Sequence, residues 1–173
     1  GVRETLKIIS KQIPLTVHEV SSGTKVFDWV IPKEWNIEDA YVLDSNKNKI
    51  IDFKKSNLHV LNYSIPINKK ITLSELKEHI HTLPEQPDAI PYLTSYYKEE
   101  WGFCMTHNDF LKLSDDEYDV VINSSLEHGS LTYGEYFIEG QIKDEFVLTC
   151  YVCHPSLCND NLSGTVLITS IAK

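Results

Sequence analysis

His154 and Asp160 are the two residues whose types and spacing could do chemistry together. The nearly continuous apolar run EFVLTCYVCH ends on His154. Pro155 then removes the donor that would extend a ladder, and Asp160 follows at the entry to the helix-like stretch NLSGTVLITSIAK. Strand, tight loop and helix make the unit of a wound α/β sheet, and sites in such sheets form beyond the carboxyl ends of the strands. A neutral imidazole and a carboxylate there supply the donors that zinc accepts at about 2.0–2.2 Å. With its two oxygens Asp160 could also bridge a pair of ions about 3.5–4 Å apart. Asn159 and Asn161 could orient that carboxylate, and Ser163 and Gly164 would let the helix start close to it. A plainer role fits the same residues: Asp160 or Asn161 caps the helix, and His154 is a buried, hydrogen-bonded imidazole. A catalytic zinc takes three protein ligands and keeps a fourth position open, so two donors leave both readings standing.

Cys150, Cys153 and Cys158 surround this histidine and suggest a different site, a structural zinc held through C-x-x-C. Strand geometry opposes it, because side chains three apart in a strand point to opposite faces. Tyr151 and Val152 also leave no glycine for a knuckle turn. Together with Cys104 these are four cysteines in 173 residues, and with no secretory pattern in front of them reduced thiols are expected. His79 and His81 sit at i, i+2 near the end of a short predicted helix, a spacing that does not share a helical face. Tyr96, Tyr97, Trp101 and Phe103 fit a core wall or a substrate-facing one. Glu135 fits a cleft or a surface, and Asp115, Asp116 and Glu117 read as a solvated acidic turn.

The elements that must position these residues follow from periodicity. VRETLKIISKQI places Val2, Leu6, Ile9 and Ile13 near helical spacing, with no capping residue in front. LTVHEV and KVFDWVIP read as strands joined at Ser21-Ser22-Gly23. EDAYVLD and KIIDF read as a hairpin around Ser45-Asn46-Lys47-Asn48, and LHVLNYSIPI as a further extended run. Thr72 to Glu75 fits a capping box opening a short helix that Pro84 ends. After three prolines between 84 and 91, TSYYKEEWGFCM reads as a strand and THNDFLKL as a helix capped by Thr106 or Asn108. EYDVVINSSL, SLTYGEYFIEG and EFVLTCYVCH then read as three strands, the last buried on both faces.

Composition bounds the function class. The chain is 42% hydrophobic and 24% charged, which predicts a folded protein, and its formal charge of -9 argues against a nucleic-acid partner. No run approaches the roughly 20 apolar residues of a membrane span. A cytoplasmic protein without a membrane partner is expected. Both ends, the uncapped first helix and the unclosed last one, predict that the chain is a portion of a longer protein.

HPSLCNDNLSG resembles the metal-binding motif of the di-zinc aminopeptidases, in which a strand-terminal His is followed by a short loop and N-D-N-x-S-G at a helix start. More widely, GVRETL, FDWVIPKEWNI, TSYYKEEWGFC, SLTYGEY and HPSLCNDNLSG, in that order, resemble a family of bacterial aminopeptidase-like proteins associated with polysaccharide-biosynthesis loci. The resemblance implies an α/β fold, part of a zinc-exopeptidase wound sheet, with residues 1–22 and 114–173 as the peptidase-like portion and 23–113 as an inserted β-rich domain. It implies His154 and Asp160 as metal ligands, zinc as one or two ions held at low occupancy, and a peptide-like or amide substrate. The superfamily's Asp two residues after the His is Ser156 here. Its general-base Glu, adjacent ligand Glu and last His are expected beyond residue 173. The function expected is that of a metal-dependent hydrolase, catalytically incomplete over this span. The alternative is a binding or assembly module, possible as a homo-oligomer, with a vestigial metal site.

Overall fold

The computed structural model describes residues 1–114, 117–152 and 158–173. By its contacts the chain divides into two compact units, Gly1–Ile31 with Ser130–Lys173, and Pro32–Gly129.

In the first unit, helix α1 (Val2–Ile9) is amphipathic, burying Leu6, and Gly1 at its N-cap makes no side-chain hydrogen bond. Strand β1 (Thr16–Ser21) pairs antiparallel with β10 (Ser130–Glu135), from Thr16 opposite Glu135 to Ser21 opposite Ser130. Gly134 on β10 is needed by close approach: a Cβ there would lie 2.4 Å from Leu15 Cδ2 and 3.1 Å from Leu6 Cδ2. The KVFDWVIP run does not form one strand. It folds into a two-residue hairpin, β2 (Lys25–Val26) with β3 (Trp29–Val30), turned at Phe27, whose φ is 55°. Helix α4 (Asn159–Ile171) closes the unit.

The second unit is built on a four-stranded sheet in the order β5-β4-β9-β6. Strand β4 (Glu34–Leu43) and β5 (Lys49–Asp52) are the expected hairpin; β9 (Glu117–Glu127) pairs antiparallel with β4 on one side and β6 (Ile67–Thr72) on the other. Strand β9 lies between β4 and β6 at the centre of this sheet. Alternation along it sends Tyr118, Val120 and Ile122 into the core at 0 to 2% exposure. In β4 the register shifts between Ile37 and Asp39, so that Trp35 and Ile37 before this bulge and Ala40 and Val42 after it all face the core.

Helix α2 (Leu73–Glu78) opens as expected, with the Thr72 hydroxyl accepting from Glu75 N at 3.3 Å, and drives Leu76 into the core at 0% exposure. It stops earlier than predicted. Ile80–His81 is strand β7, paired in parallel with β8 (Phe103–Cys104), so His79 and His81 stand at a helix end and a strand instead of one helix. The two-residue β8 is all that becomes strand within TSYYKEEWGFCM. The LHVLNYSIPI run is also irregular, opening on the 3-10 turn η1 (Asn57–His59). Its polar demands are met by a buried hub. Ser64 Oγ donates to Leu61 O at 2.5 Å and accepts from Gly102 N at 3.2 Å, while Ser64 O accepts from Trp35 Nε1 at 2.9 Å and Ser124 Oγ at 2.7 Å. Helix α3 (His107–Phe110) is capped by Thr106, as the sequence suggests.

The EFVLTCYVCH run is where expectation and structure part. Over residues 144–152 no strand forms, and Phe146, Val147 and Leu148 are 98, 79 and 59% exposed. The described strands pair antiparallel, β7 with β8 excepted. A strand buried on both faces needs a neighbour at each edge, and among the described residues this run has none.

Phe103 is fully buried and Phe146 almost fully exposed. Phe103→Ala should therefore destabilise the second unit by about 3–5 kcal/mol in urea unfolding, and Phe146→Ala should stay within about 0.5 kcal/mol of wild type. Equal effects of the two would refute this placement of the core. The buried Cys104 thiol is pushed up to about 12 by desolvation, whereas Cys158 is exposed. At pH 8 in native protein Cys158 should react with a thiol reagent and Cys104 only after unfolding. Rapid labelling of Cys104 in the folded state would contradict this.

Candidate functional site

Asp160 lies at the start of α4, exposed, and departs from helical backbone geometry with φ -101° and ψ 89°, as does Asn161 with φ -131° and ψ 42°. Regular helix begins only after them. The carboxylate thus stands on a non-helical step ahead of the helix proper. Cys158, at the N-cap position, makes no side-chain capping bond. His154 falls outside the described residues, together with Cys153, Pro155 and Ser156.

Contacts from α4 back to the apolar run hold this step in place. Asn161 Nδ2 donates to Tyr151 O at 3.3 Å, tying the helix start to the stretch that leads into His154. Thr165 is 8% exposed; its hydroxyl donates to Asn161 O at 3.1 Å and lies 3.7 Å from Cys150 Sγ. Ser163 Oγ donates to Asn159 O at 2.7 Å. Gly164 is required by space: a Cβ there would lie 2.2 Å from Asn161 Oδ1 and 2.9 Å from Asn161 Cγ. The N-D-N-L-S-G spacing thereby acquires a mechanical meaning. Asn161 clamps the preceding chain, and Gly164 one turn on leaves room for that amide.

Among the described residues no three His, Cys, Asp or Glu side chains cluster as a metal centre requires. Asp160 by itself does not make one. Of the other candidates, Glu135 pairs across the β1–β10 ladder with His18, Oε2 to Nε2 at 3.3 Å, and His18 stacks on Tyr133 with ring centroids 4.9 Å apart. Trp101 stacks on His79 at 3.6 Å, and Trp101 and Phe103 meet edge to face at 6.4 Å. Those two rings belong to the core of the second unit, whereas Tyr97 is 82% exposed. Asp115 and Asp116 are outside the described residues. Sequence reasoning missed Thr165, whose signal, a Thr one turn after Asn161 on a helix, is too common to stand out.

The family model described as "Domain of unknown function (DUF2172)" matches residues 34–125, more than half of the chain. The chain belongs to this family. Its DUF2172 segment lies inside the second unit, which spans Pro32–Gly129. Over all 173 residues the chain is 65% identical to a Clostridium acetobutylicum protein described as "Putative polysaccharide biosynthesis protein with aminopeptidase-like domain". It is similar as well to the crystal structure of a "putative peptidase" from Clostridium acetobutylicum, with a TM-score of 0.95 and 64% identity over 99% of this chain. It spans 40% of the first relative's length and 41% of the second's. No helix among the described residues is long and apolar enough to cross a membrane.

Gly164→Ala tests the clamp. In the wild-type background the new methyl displaces the Asn161 amide from Tyr151 O and should destabilise by about 1 kcal/mol. In an Asn161→Ala background the same substitution should instead stabilise by up to about 1 kcal/mol, through helix propensity. Denaturation of the four proteins gives the coupling. Additive effects would show that Gly164 and Asn161 do not act on each other.

Proposed function

We propose that this chain is part of a metal-dependent, aminopeptidase-like hydrolase of peptide or amide bonds, with His154 and Asp160 as ligands to one or two zinc ions. The observation that carries the reading is identity of 65% over the entire chain to a protein described as having an aminopeptidase-like domain. Locally, the clamp from Asn161 to Tyr151 and the space kept by Gly164 support it, because they hold the Asp160 step against the segment that leads to His154. A bound zinc would supply Lewis acidity and a water with a pKa near 7. This chain's own contribution is to orient one carboxylate and one imidazole, a pair short of the three protein ligands of a catalytic centre. The relative's association with polysaccharide biosynthesis extends to this chain as the proposed biological setting.

A second reading is a binding or assembly module with a vestigial site, favoured by Ser156 standing where the aminopeptidase superfamily has an Asp. Zinc titration of the 173-residue chain, followed by elemental analysis, separates these readings from a cysteine site. The hydrolase reading expects weak, substoichiometric zinc that is lost in His154→Ala and in Asp160→Ala and kept in Cys150→Ser and Cys158→Ser. Zinc unaffected by the first two variants, or removed by the last two, would overturn it.

A further inference from the structure

Between Glu145 and Lys173 the sequence carries one carboxylate, Asp160, and no lysine or arginine. A stretch with so little charge belongs in an interior, yet much of it lies at the surface of the first unit. Phe146, Val147 and Leu148 are exposed, and so are Leu162, Val166, Leu167 and Ile171 of α4. The run and the helix adjoin, since Asn161 and Thr165 meet the run at Tyr151 and Cys150. At about 3.6 residues per turn, Leu162 and Val166 form one row on the open side of α4, and Leu167 and Ile171 form another. A helix apolar over that much of its circumference is one that a folded protein buries.

The polar groups of α4 are already prepared for cover. Ser163 Oγ donates to Asn159 O at 2.7 Å, Thr165 Oγ1 to Asn161 O at 3.1 Å, Thr169 Oγ1 to Thr165 O at 2.7 Å and Ser170 Oγ to Val166 O at 2.8 Å. Each hydroxyl directs its proton to the carbonyl four residues back, so removing water from this side strands no hydroxyl donor. The run has the opposite need. Residues 146–152 form no strand, and their main-chain groups require a ladder once water is removed. These needs select the occupant. A helix that lies on a lipid surface carries Lys and Arg on its polar side, and none stands in this stretch before Lys173. A polypeptide with apolar side chains and an open strand edge meets both needs. The 65% identical Clostridium relative carries further polypeptide, since the shared 173 residues are 40% of its length. A tethered segment meets such a face at an effective concentration on the order of millimolar, ahead of a second molecule in free solution.

We propose that residues 146–151 and the open side of α4 dock a further segment of the longer polypeptide, the run entering as a β-strand, which rests on the reading of this chain as part of a larger hydrolase. Hydrogen exchange followed by mass spectrometry tests it on the 173-residue chain and on the intact Clostridium relative, both metal-free. In the relative, the segments aligned with 146–151 and with α4 should exchange at least about 100-fold more slowly than in the 173-residue chain. Val166→Glu with Leu167→Glu should leave the unfolding midpoint of the 173-residue chain nearly unchanged, whereas the same pair at the aligned positions of the relative should lower its midpoint by several degrees. Equally fast exchange in the two proteins overturns the proposal, as does an unchanged midpoint in the substituted relative. Protection of 146–151 in the 173-residue chain that grows with its own concentration also overturns it, in favour of a second copy, and protection that appears only with phosphatidylglycerol vesicles does so in favour of a lipid surface. Because no metal is present in either arm, the outcome is separate from the zinc titration that judges His154 and Asp160.

Discussion

Strand β9 must find hydrogen-bond partners along both of its edges, and most of the second unit follows from how that demand is met. Eleven residues long, it lies between β4 and β6 and is paired on both sides over Asp119–Ile122, while its side chains divide between two environments. Tyr118, Val120 and Ile122 form the floor on which Leu76, Ile80 and Phe103 pack. The opposite face keeps Val121 and Asn123 outward. A single extra residue in β4 adjusts the match: without it, Trp35 and Ile37 could not share the core with Ala40 and Val42. The irregular segment before β6 is admitted to this interior because Ser64 and the groups around it satisfy one another's hydrogen bonds.

The first unit is organised by a different constraint. Its apolar run over residues 146–152 has the composition of a strand buried on both faces, yet these residues form no strand. Two side-chain links to α4 hold it instead, Asn161 to the carbonyl of Tyr151 and Thr165 beside Cys150. Those links fix where the start of α4, with Asp160, stands relative to residues 150 and 151. A clamp of one amide bond and one buried hydroxyl is modest in energy, about 0.5–1.5 kcal/mol for each bond.

Much of this was legible in the sequence where the signal is local. Thr72 with Glu75 announced one helix start and Thr106 or Asn108 a second, the tetrad from Ser45 to Asn48 announced a hairpin, and the helical spacing of Leu6 and Ile13 announced the buried side of the N-terminal segment. Where signals depend on distant partners, reading failed. KVFDWVIP alternates well enough for a strand, but Phe27 takes a left-handed conformation and turns it into a tiny hairpin. LHVLNYSIPI looks extended, but the Ser64 hub bends it around side chains far away in sequence. That β9 would join the hairpin of β4 and β5 could not be told from its own residues, since alternation fixes which face is buried and not which strand lies alongside. The spacing of Asn161 and Gly164 was visible, while its purpose emerged only from the 2.2 Å approach.

The proposed function rests on His154 and Asp160 acting together as ligands to one metal. An anomalous-difference map from crystals of the 173-residue chain soaked in zinc tests it most directly. A peak is expected within about 2.0–2.2 Å of an imidazole nitrogen of His154 and a carboxylate oxygen of Asp160. A peak on Cys150 and Cys158 instead, or a zinc position that touches only one of the two proposed ligands, would contradict it.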